Sequence, residues 1–356
     1  MSVEEGRTGR RPSTRADDGR SGRRPTMREV AAIAGVSLST VSRVINGVDV
    51  QPELARRVQD AVELLGYRRD LTASNLRRAD RLSATIGLLL EDVANPFFSA
   101  LQRSVEDVAG RRGVLAFAGS SDEDPARERR LVEEFLARGV DGLIIAPTGG
   151  DHSYLARDHR AGVAIVFVDR PPRFIDADAV VSDNAGGAED AVAHLIEAGH
   201  RRIAFLGDRD DLWSVQERYE GFTEALATEG LAPDPALIRH GLQTRAAAAE
   251  AAAALTRLPE PPTALFASND LMTMGAVDGL HGWAGSIALV GFDEFALADK
   301  LTPQVTVVAQ DPAAIGATAA QLLFGRIGGD SSPPRDVVLL TRLVARGSGE
   351  IAPLPV

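Results

Sequence analysis

The sequence predicts a small all-α head followed by a larger α/β core with two lobes. Residues 26–66 carry apolar side chains at three- and four-residue spacing, which is typical of helices. From Thr85 onward, short apolar runs alternate with amphipathic stretches, a pattern typical of parallel sheets flanked by helices. The stretch VVSDNAGG (180–187) interrupts that alternation. A region of about 260 residues also exceeds one small sheet, so we expect two lobes.

The composition is that of a globular protein, which we expect to stay in the cytoplasm. Of 356 residues, 44% are hydrophobic and 25% are charged, which suffices for a large core and a small additional domain. No apolar run approaches the roughly 20 residues of a membrane span, and the N-terminus carries no segment typical of a signal peptide. The absence of cysteine excludes disulfides, thiolate zinc sites and cysteine nucleophiles.

Basic charge is concentrated near the N-terminus of an acidic chain. The formal net charge is -11, yet residues 1–80 contain 15 arginines against 11 acidic residues. A basic end on an acidic body indicates that this end meets a polyanion such as DNA. Residues 1–25 are rich in Gly, Arg, Ser and Pro. We expect them to form a disordered arm that either has no role or contacts DNA phosphates.

The first helix of the head is predicted to begin at a capping box in TMRE (26–29). Its inner face is expected to consist of Val30, Ile33 and Ala34. Gly35 should end the helix, because glycine tolerates the positive φ that a helix terminus requires.

A second short helix, capped by Ser37, is predicted to end at Asn46-Gly47, and a third to extend from Pro52 to Gly66. Two short helices joined by a glycine turn and braced by a third form a helix-turn-helix. A generic three-helix cap on a larger domain would have the same apolar spacing. The second helix turns its apolar residues inward, which leaves an outer face of Leu38, Ser39, Ser42 and Arg43.

Seven apolar runs in the core are interpreted as strands, each followed by an amphipathic stretch. They are TIGLLL (85–90), VLAFAG (114–119), VDGLIIA (140–146), VAIVFVD (163–169), RIAFLGD (202–208), TALFASND (263–270) and IALVGFD (287–293). Small molecules bind at the carboxyl ends of the strands in such sheets. We therefore expect a ligand cleft between the two lobes.

No residue pattern supports catalysis, a cofactor or a metal site. The sequence has no GxGxxG after the first strand, no Walker motif and no GxSxG, and its six histidines lack HExxH spacing. Lys300 is the only lysine, so a P-loop or Schiff-base mechanism has almost no residue to use. His152 and His159 lie seven residues apart, but without a third ligand nearby we expect a solvated pair.

The head and the core both resemble the LacI/GalR family of bacterial repressors. In the head the resemblance covers TMREVAAIAGVSLSTVSRVINGVDVQPELARRVQDAVELLGYRRDLTASNLRR (26–78). In the core it runs through NPFF (95–98), RGVDGLIIAP (138–147), FVDR (167–170), HLIEAGHRRIAFLGD (194–208), ERYEGF (217–222), ASND (267–270) and VGFDE (290–294). The resemblance implies a helix-turn-helix DNA-binding head and a core similar to periplasmic sugar-binding proteins.

The resemblance implies that the second helix of the head lies in the major groove of DNA. Leu38 and Ser39 would then set the sequence preference, and Arg43 would contact a base, with guanine a suitable partner for a bidentate arginine. Phosphate contacts, which give affinity without specificity, would come from Thr26, Ser37, Thr40, Ser42 and Asn46.

The matching segment after the head, residues 68–82, implies a hinge that becomes a short helix in the minor groove. Leu76 matches a leucine that wedges between base pairs, Ala73 matches a small residue beside it, and Arg77 is expected at the DNA backbone. The alternative for Leu76 is a linker residue that packs on the core. Arg69 and Asp70 replace the proline and asparagine common in relatives, which leaves the stiffness of the hinge open.

The resemblance also implies an effector pocket between the lobes. Carboxylate, guanidinium and amide groups can bind adjacent hydroxyls, while aromatic faces pack on the C–H side of a sugar. Alternatives remain for several residues: Phe97 and Phe98 as core, Asn269 and Asp293 as helix caps, Trp213 as loop cover. The implied pocket residues are Phe97, Phe98, Asp169, Trp213, Ser214, Arg218, Asn269, Asp293 and Gln310.

The expected organisation is an arm (1–25), a head (26–67), a hinge (68–82) and a core (83–350). The first lobe would comprise about 83–183 and 310–339, and the second about 184–309 and 340–350. The resemblance implies that the helix at 311–326 returns to the first lobe and helps to form a homodimer.

The expected function is that of a homodimeric transcriptional repressor that binds a pseudo-palindromic operator in double-stranded DNA. A small molecule, most simply a sugar or sugar derivative, would control it from the cleft. Two alternatives within binding proteins stay open: a cytoplasmic sugar-binding protein without a regulatory role, and a regulator that activates or needs a corepressor. An enzyme of doubly wound fold is opposed by the lack of a catalytic constellation.

Overall fold

The computed structural model describes residues 25–45, 47–68, 82–280 and 286–353. The chain divides between residues 81 and 82 into two compact units, the head and the core. The predicted arm and hinge lie almost entirely outside the described residues. The predicted fold class, a helical head and an α/β core with two mostly parallel sheets, is confirmed.

The described part of the head contains the helices α1 (Met27–Ala34), α2 (Leu38–Ile45) and α3 (Pro52–Leu65). The predicted capping box begins α1: the Thr26 hydroxyl accepts from the Glu29 amide at 3.4 Å, and Glu29 Oε2 accepts from the Thr26 amide at 2.6 Å. Gly35, with φ of 61°, ends α1 in the left-handed conformation.

The apolar core of the head consists of Val30, Ala31, Ala34, Val41, Val58 and Ala61. The assignment of Ile33 to the inner face of α1 was wrong, because the Ile33 side chain is 50% exposed. Successive helical residues are rotated by about 100°. The buried face of α1 is centred between Val30 and Ala31, and Ile33 lies beyond its edge, so α1 packs through two alanines instead.

The first lobe of the core is built on a six-stranded parallel sheet in the order β11-β5-β4-β3-β1-β2. Its strands are β1 (Thr85–Leu90), β2 (Leu115–Ser120), β3 (Gly142–Ile145), β4 (Ala164–Val168), β5 (Asp178–Ser182) and β11 (Asp336–Leu339). Its helices are α4 (Pro96–Gly110), α5 (Pro125–Ala137), α6 (Ala156–Arg160) and α11 (Pro312–Ile327), with a 3-10 turn at Ser153–Leu155.

The second lobe repeats this plan with the strand order β12-β10-β9-β8-β6-β7, in which only the β10–β12 pair is antiparallel. Its strands are β6 (Ile203–Leu206), β7 (Ile238–Arg239), β8 (Ala264–Ala267), β9 (Ala288–Phe292), β10 (Thr306–Ala309) and β12 (Arg342–Val344). Its helices are α7 (Asn184–Glu197), α8 (Trp213–Thr228), α9 (Arg245–Leu255) and α10 (Asp270–Gly279), with a 3-10 turn at Pro235–Leu237.

The described chain passes between the lobes at three places. It leaves the first lobe at Asp183, which follows β5 and caps α7, inside the stretch where the sequence predicted a break. It returns between β10 and α11, and it crosses again between β11 and β12. The helix predicted at 311–326 does return to the first lobe, because Ile315 and Leu323 of α11 lie in its core.

All seven predicted strands are present in the structure, while β5, β7, β10, β11 and β12 were not singled out in the sequence. Apart from β12, the strands of each sheet are parallel, so their carboxyl ends lie at one edge. None of the described helices is both long and apolar enough to span a membrane.

Candidate functional site

The outward face of α2 is the predicted base-reading surface of the head. Leu38 is 44% exposed, and Ser39 and Arg43 are also exposed, whereas Val41 on the opposite side is completely buried. The Arg43 guanidinium donates to the Asp49 carbonyl at 3.2 Å, which holds this long side chain against the turn that follows α2. The three side chains predicted to contact bases therefore lie on an accessible surface.

Hydroxyl groups cluster at the N-terminus of α2. The Ser37 hydroxyl accepts from the Thr40 amide at 3.2 Å and lies 2.8 Å from the hydroxyls of both Ser39 and Thr40. A helix N-terminus with hydroxyls around it is suited to phosphate binding. Among the other residues predicted at phosphate, Thr26 is already bonded to Glu29. Asn46, Ala73, Leu76 and Arg77 lie outside the described residues.

A cavity of about 50 Å³ lies in the core between the two lobes. Eight of the nine predicted pocket residues line it: Phe97, Phe98, Asp169, Ser214, Arg218, Asn269, Asp293 and Gln310. Trp213 is half-buried at the start of α8 and does not line the cavity. Its side chain lies about 100° around the helix from Ser214, whereas Ser214 and Arg218 share one face.

The structure also brings eight unpredicted residues to the cavity. The most informative follow directly after predicted strands: Glu91 after β1, Arg170 after Asp169 at the end of β4, and Asp208 after β6. Their position at the carboxyl ends of strands was a usable signal in the sequence. The complete set of unpredicted residues is Glu91, Asn95, Arg170, Asp208, Leu212, Val215, Asp270 and Leu271.

Arg218 is the centre of the polar cluster in the second lobe. It is only 4% exposed, and its guanidinium donates to Asn184 Oδ1 at 2.7 Å and to the Ser268 carbonyl at 2.5 Å. The group lies 3.5 Å from Asp293 Oδ2 and 3.7 Å above the ring of Phe292. A buried guanidinium with several acceptors and an aromatic face is held in a single orientation.

Asp293 closes this cluster from the end of β9. Its φ of 72° is in the left-handed region, and its carboxylate accepts from Gln310 Nε2 at 2.5 Å. Burial raises the pKa of Asp293 to about 6, although Arg218 opposes the increase. Asp169 after β4 has the corresponding left-handed backbone, with φ of 68°. Each lobe thus places an aspartate in a strained conformation at the end of a central strand.

The first lobe has its own buried arginine. Arg170, 6% exposed, is bonded to Glu91 at 2.9 Å, to Glu123 at 2.5 Å and to the Pro147 carbonyl at 3.1 Å. Its Nε lies 3.1 Å from Asp169. Burial, with a smaller contribution from the neighbouring acids, raises the pKa of Glu91 to about 8 against the opposing charge of Arg170. Three carboxylates therefore share one guanidinium.

Asn269 combines two of the roles that the sequence left open. Its Oδ1 accepts from the Met272 amide at 2.8 Å and so caps α10, while its Nδ2 donates to Asp208 at 3.1 Å inside the cavity.

The two phenylalanines predicted for the pocket differ in their burial. Phe98 is 3% exposed and belongs to the apolar core of the first lobe, whereas Phe97 is only partly buried.

Hydrogen bonds join the two lobes around the cavity. Arg173 of the first lobe donates to the Asp211 carbonyl of the second at 3.2 Å, and Arg209 of the second lobe donates to the Glu123 carbonyl of the first at 3.3 Å. Asn95 of the first lobe and Asp270 of the second both line the cavity. These hydrogen bonds help to fix the relative orientation of the lobes in this structure.

The expectation of a solvated histidine pair was wrong for His152, which is 1% exposed. Its Nδ1 accepts from the Arg173 amide at 3.0 Å, and its ring lies against Phe167, so tertiary packing has drawn it into the lobe. Burial lowers the pKa of His152. Among the described residues, no group of three or more His, Asp or Glu side chains is arranged to hold a metal ion.

Comparisons with known proteins cover both units. The model of "Bacterial regulatory proteins, lacI family" matches residues 26–70, and that of a "Periplasmic binding protein-like domain" matches residues 192–349. Catabolite control protein A of Priestia megaterium is 31% identical over 301 residues, which are 83% of this chain and 90% of that protein.

Two solved structures are also similar. The transcriptional regulator CelR in complex with cellobiose is 32% identical, with a TM-score of 0.67, 91% of this chain covered and 100% of that chain. The lac repressor dimer bound to operator and an anti-inducer has a TM-score of 0.81 at 24% identity, with 93% and 100% covered, and supports the fold. CelR is described as a transcriptional regulator, and the lac repressor structure contains operator DNA.

The raised pKa of Asp293 makes stability depend on pH. An acid whose pKa rises from 3.8 to about 6 on folding holds its proton more tightly in the folded chain. Its contribution to stability is therefore complete below pH 3.8 and is lost as the pH rises through 6. Relative to the parent, Asp293→Asn should gain about 2 kcal/mol in free energy of unfolding between pH 4 and pH 7.

Urea denaturation at several pH values, followed by tryptophan fluorescence, measures this difference, because Trp213 and Trp283 both fall in residues 82–356. Asp210→Asn, an exposed position on the loop after β6, controls for the change in net charge. A difference between Asp293→Asn and the parent that stays constant with pH would contradict the assignment.

Proposed function

Because the chain belongs to the LacI family of bacterial regulatory proteins, we propose that it is a transcriptional repressor controlled by a small-molecule effector. Its operator affinity would change when the effector, most simply a sugar, binds between the lobes of the core. The observation that carries this proposal is the presence in one chain of an exposed reading face on α2 and a closed polar cavity at the strand ends. We place its action in the cytoplasm, on operator DNA.

Recognition of DNA would use the outer face of α2. A guanidinium such as that of Arg43 can donate two parallel hydrogen bonds to guanine, and Leu38 suits the methyl group of thymine. The hydroxyls of Ser37 and Thr40 lie where a phosphate would approach the N-terminus of α2. In this proposal Leu76 wedges between base pairs from the hinge and kinks the duplex.

Recognition of the effector would use side chains from both lobes. Asp293, Gln310 and Asn269 supply acceptors and donors that can bind adjacent hydroxyls of a sugar. Phe97, which is only partly buried, offers an apolar surface to the C–H side of the ring. The similar regulator CelR is described as a complex with cellobiose, and the resemblance supports a sugar for this chain.

Two heads that read a pseudo-palindromic operator require a two-fold symmetric dimer. Exposed apolar side chains on the sheet-edge strands of the first lobe support such an interface. Leu115 and Phe117 of β2, at one edge of the sheet, are 58% and 40% exposed, whereas Val338 of β11, at the opposite edge, is 56% exposed. Apolar surface on an edge strand is normally covered, and the two exposed side chains of β2 favour a second copy at the β2 edge.

Control would operate through a shift between two lobe orientations. An effector that contacts both lobes favours the orientation in which all its contacts form, and the hinges of the two subunits respond. An operator-binding assay with and without the bound compound separates the alternatives. Release of DNA supports an inducible repressor, tighter binding supports corepression, and a bound compound without effect on DNA supports a sugar-binding protein without a regulatory role.

Arg43→Ala should reduce the preference for operator over random DNA by at least about fivefold, because a bidentate base contact discriminates by about 1–3 kcal/mol. Selection from a random DNA library first defines the operator, and fluorescence anisotropy then measures both affinities. Arg56→Ala, an exposed arginine on α3, removes the same charge away from the reading face. An equal loss for specific and random DNA would instead make Arg43 a phosphate contact.

Phe97 and Phe98 should differ in what their replacement costs. Phe97→Ala should weaken effector binding by about tenfold and cost less stability than Phe98→Ala, since the Phe97 ring lines the cavity and is only partly buried against the core. Phe98→Ala should lower the free energy of unfolding by about 3–5 kcal/mol, because it leaves a cavity in the first-lobe core. Calorimetric titration and urea denaturation measure the two effects, and the reverse pattern would exchange the two roles.

The bond between Arg173 and the Asp211 carbonyl should favour the closed cleft. Arg173→Ala is expected to weaken effector binding by about threefold to tenfold, since one charged hydrogen bond contributes about 1 kcal/mol. Arg160→Ala removes a similar bond to a backbone carbonyl within one lobe and should leave the affinity unchanged. Unchanged affinity in Arg173→Ala, measured by calorimetry, would show that this contact does not bias the lobes.

A further inference from the structure

The lining of the cleft carries an excess of negative charge. Its side chains include the five carboxylates of Glu91, Asp169, Asp208, Asp270 and Asp293 against the two guanidinium groups of Arg170 and Arg218, a formal charge of -3. The acids come from both lobes, since Glu91 and Asp169 follow strands of the first sheet and the others follow strands of the second. A ligand between the lobes therefore meets carboxylates on either side.

Both guanidinium groups of the lining are already bound by protein acceptors. Arg170 contacts three carboxylates and the Pro147 carbonyl, and Arg218 contacts Asn184, the Ser268 carbonyl and Asp293. A phosphate or carboxylate on a ligand would compete with these acceptors for either cation. An acceptor that lost its partner in this competition would remain buried without it, which is costly.

The carboxylates, in contrast, retain capacity to accept hydrogen bonds. An ionised carboxylate offers about four lone-pair sites. Asp208 uses its two oxygens for the Asn269 amide group and the Arg209 backbone, and Asp270 accepts from the Leu271 amide. The unsatisfied sites call for a ligand rich in O–H or N–H donors. Hydroxyl groups of a sugar satisfy this requirement, whereas ionised phosphate oxygens are acceptors only.

Burial strengthens the repulsion of an anion. Interactions between charges are several times stronger in a partly dehydrated site than in water. The carboxylates already affect one another, because burial together with Glu123 and Asp169 raises the pKa of Glu91 to about 8. With Glu91 protonated, four carboxylates still face two guanidinium groups, so the excess of negative charge persists near neutral pH.

We infer that the effector is a polyhydroxyl compound without an anionic group, and that the cleft rejects phosphorylated and carboxylated sugars. This inference rests on the proposed effector site and narrows its ligand class. Asp208 is the residue most open to a specificity test, because its side chain faces the cleft without pairing to either lining arginine. It contributes negative charge while holding Asn269 in place.

The test compares matched pairs of compounds on the full-length protein by thermal shift and calorimetric titration. The pairs are glucose and glucose 6-phosphate, ribose and ribose 5-phosphate, and cellobiose and its 6-phosphate. The uncharged member of at least one pair should bind, and its phosphorylated form should bind at least about tenfold more weakly, a difference of about 1.4 kcal/mol. A methyl ether at the phosphorylated hydroxyl measures how much of the loss is due to size alone.

Two variants separate charge from shape. Asp208→Asn removes one negative charge from the cleft while keeping the size of the side chain, and it should reduce the preference for the uncharged member several-fold. Asp210→Asn makes the same change on the same loop at an exposed position outside the lining, and it should leave the preference as in the parent. Asp270→Asn repeats the test at a second lining carboxylate if Asp208→Asn does not fold.

The outcomes are distinguishable. Stronger binding of an uncharged sugar, with a preference that shrinks in Asp208→Asn and not in Asp210→Asn, supports the inference. Equal or tighter binding of a phosphorylated sugar overturns the inference and leaves the proposed effector site intact. A preference that is unchanged in the lining variant that folds, Asp208→Asn or Asp270→Asn, overturns the role of charge. Failure of every compound to bind contradicts the sugar site itself, and the inference fails with it.

Discussion

Parallel strands end at the same edge of a sheet, and in the core the two sheets present these edges to one cleft. Six polar side chains of the cavity follow from this constraint, because each lies just after a strand: Glu91, Asp169, Asp208, Asn269, Asp293 and Gln310. The apolar strands themselves remain buried between helices. In a sequence that alternates strand and helix, the polar residues that follow the strands therefore come together at one edge of the sheet, although they are far apart in sequence.

Burying so many carboxylates is unfavourable unless they have partners, and the two buried arginines act as partners for several of them. Arg218 and Arg170 each bind several acceptors from different segments of one lobe, so each lobe brings a fixed half of the cleft to the ligand. Burial of charge usually costs stability, and here the raised pKa of Asp293 records part of that cost. The gain is that the binding groups are already oriented before a ligand arrives.

Local patterns predicted much of this structure, and the exceptions have physical causes. The capping box at Thr26, the glycine stop at Gly35 and the seven strand runs depend on neighbours in sequence and could be predicted. Ile33 could not be placed, because only the packing of α1 decides which edge of its apolar face is covered. Strand β5 (Asp178–Ser182) was missed because its second half falls in the stretch 180–187, which was interpreted as a break between the lobes. Strands β7, β11 and β12 were missed because they are short or half-exposed and pair with strands distant in sequence.

The resemblance identified half of the cleft lining, whereas Glu91, Arg170 and Asp208 could have been identified from their position at the ends of predicted strands. The division of the core into two lobes also explains how a small ligand can change their relative orientation. Each described apolar cluster belongs to one lobe alone, so no shared core resists a change in lobe orientation. Across the cleft the lobes are connected by a few polar contacts and three chain crossings. Gln310 lies in one of these crossings and also lines the cavity. A handful of ligand hydrogen bonds is comparable in energy to those contacts, which is the condition for a population shift.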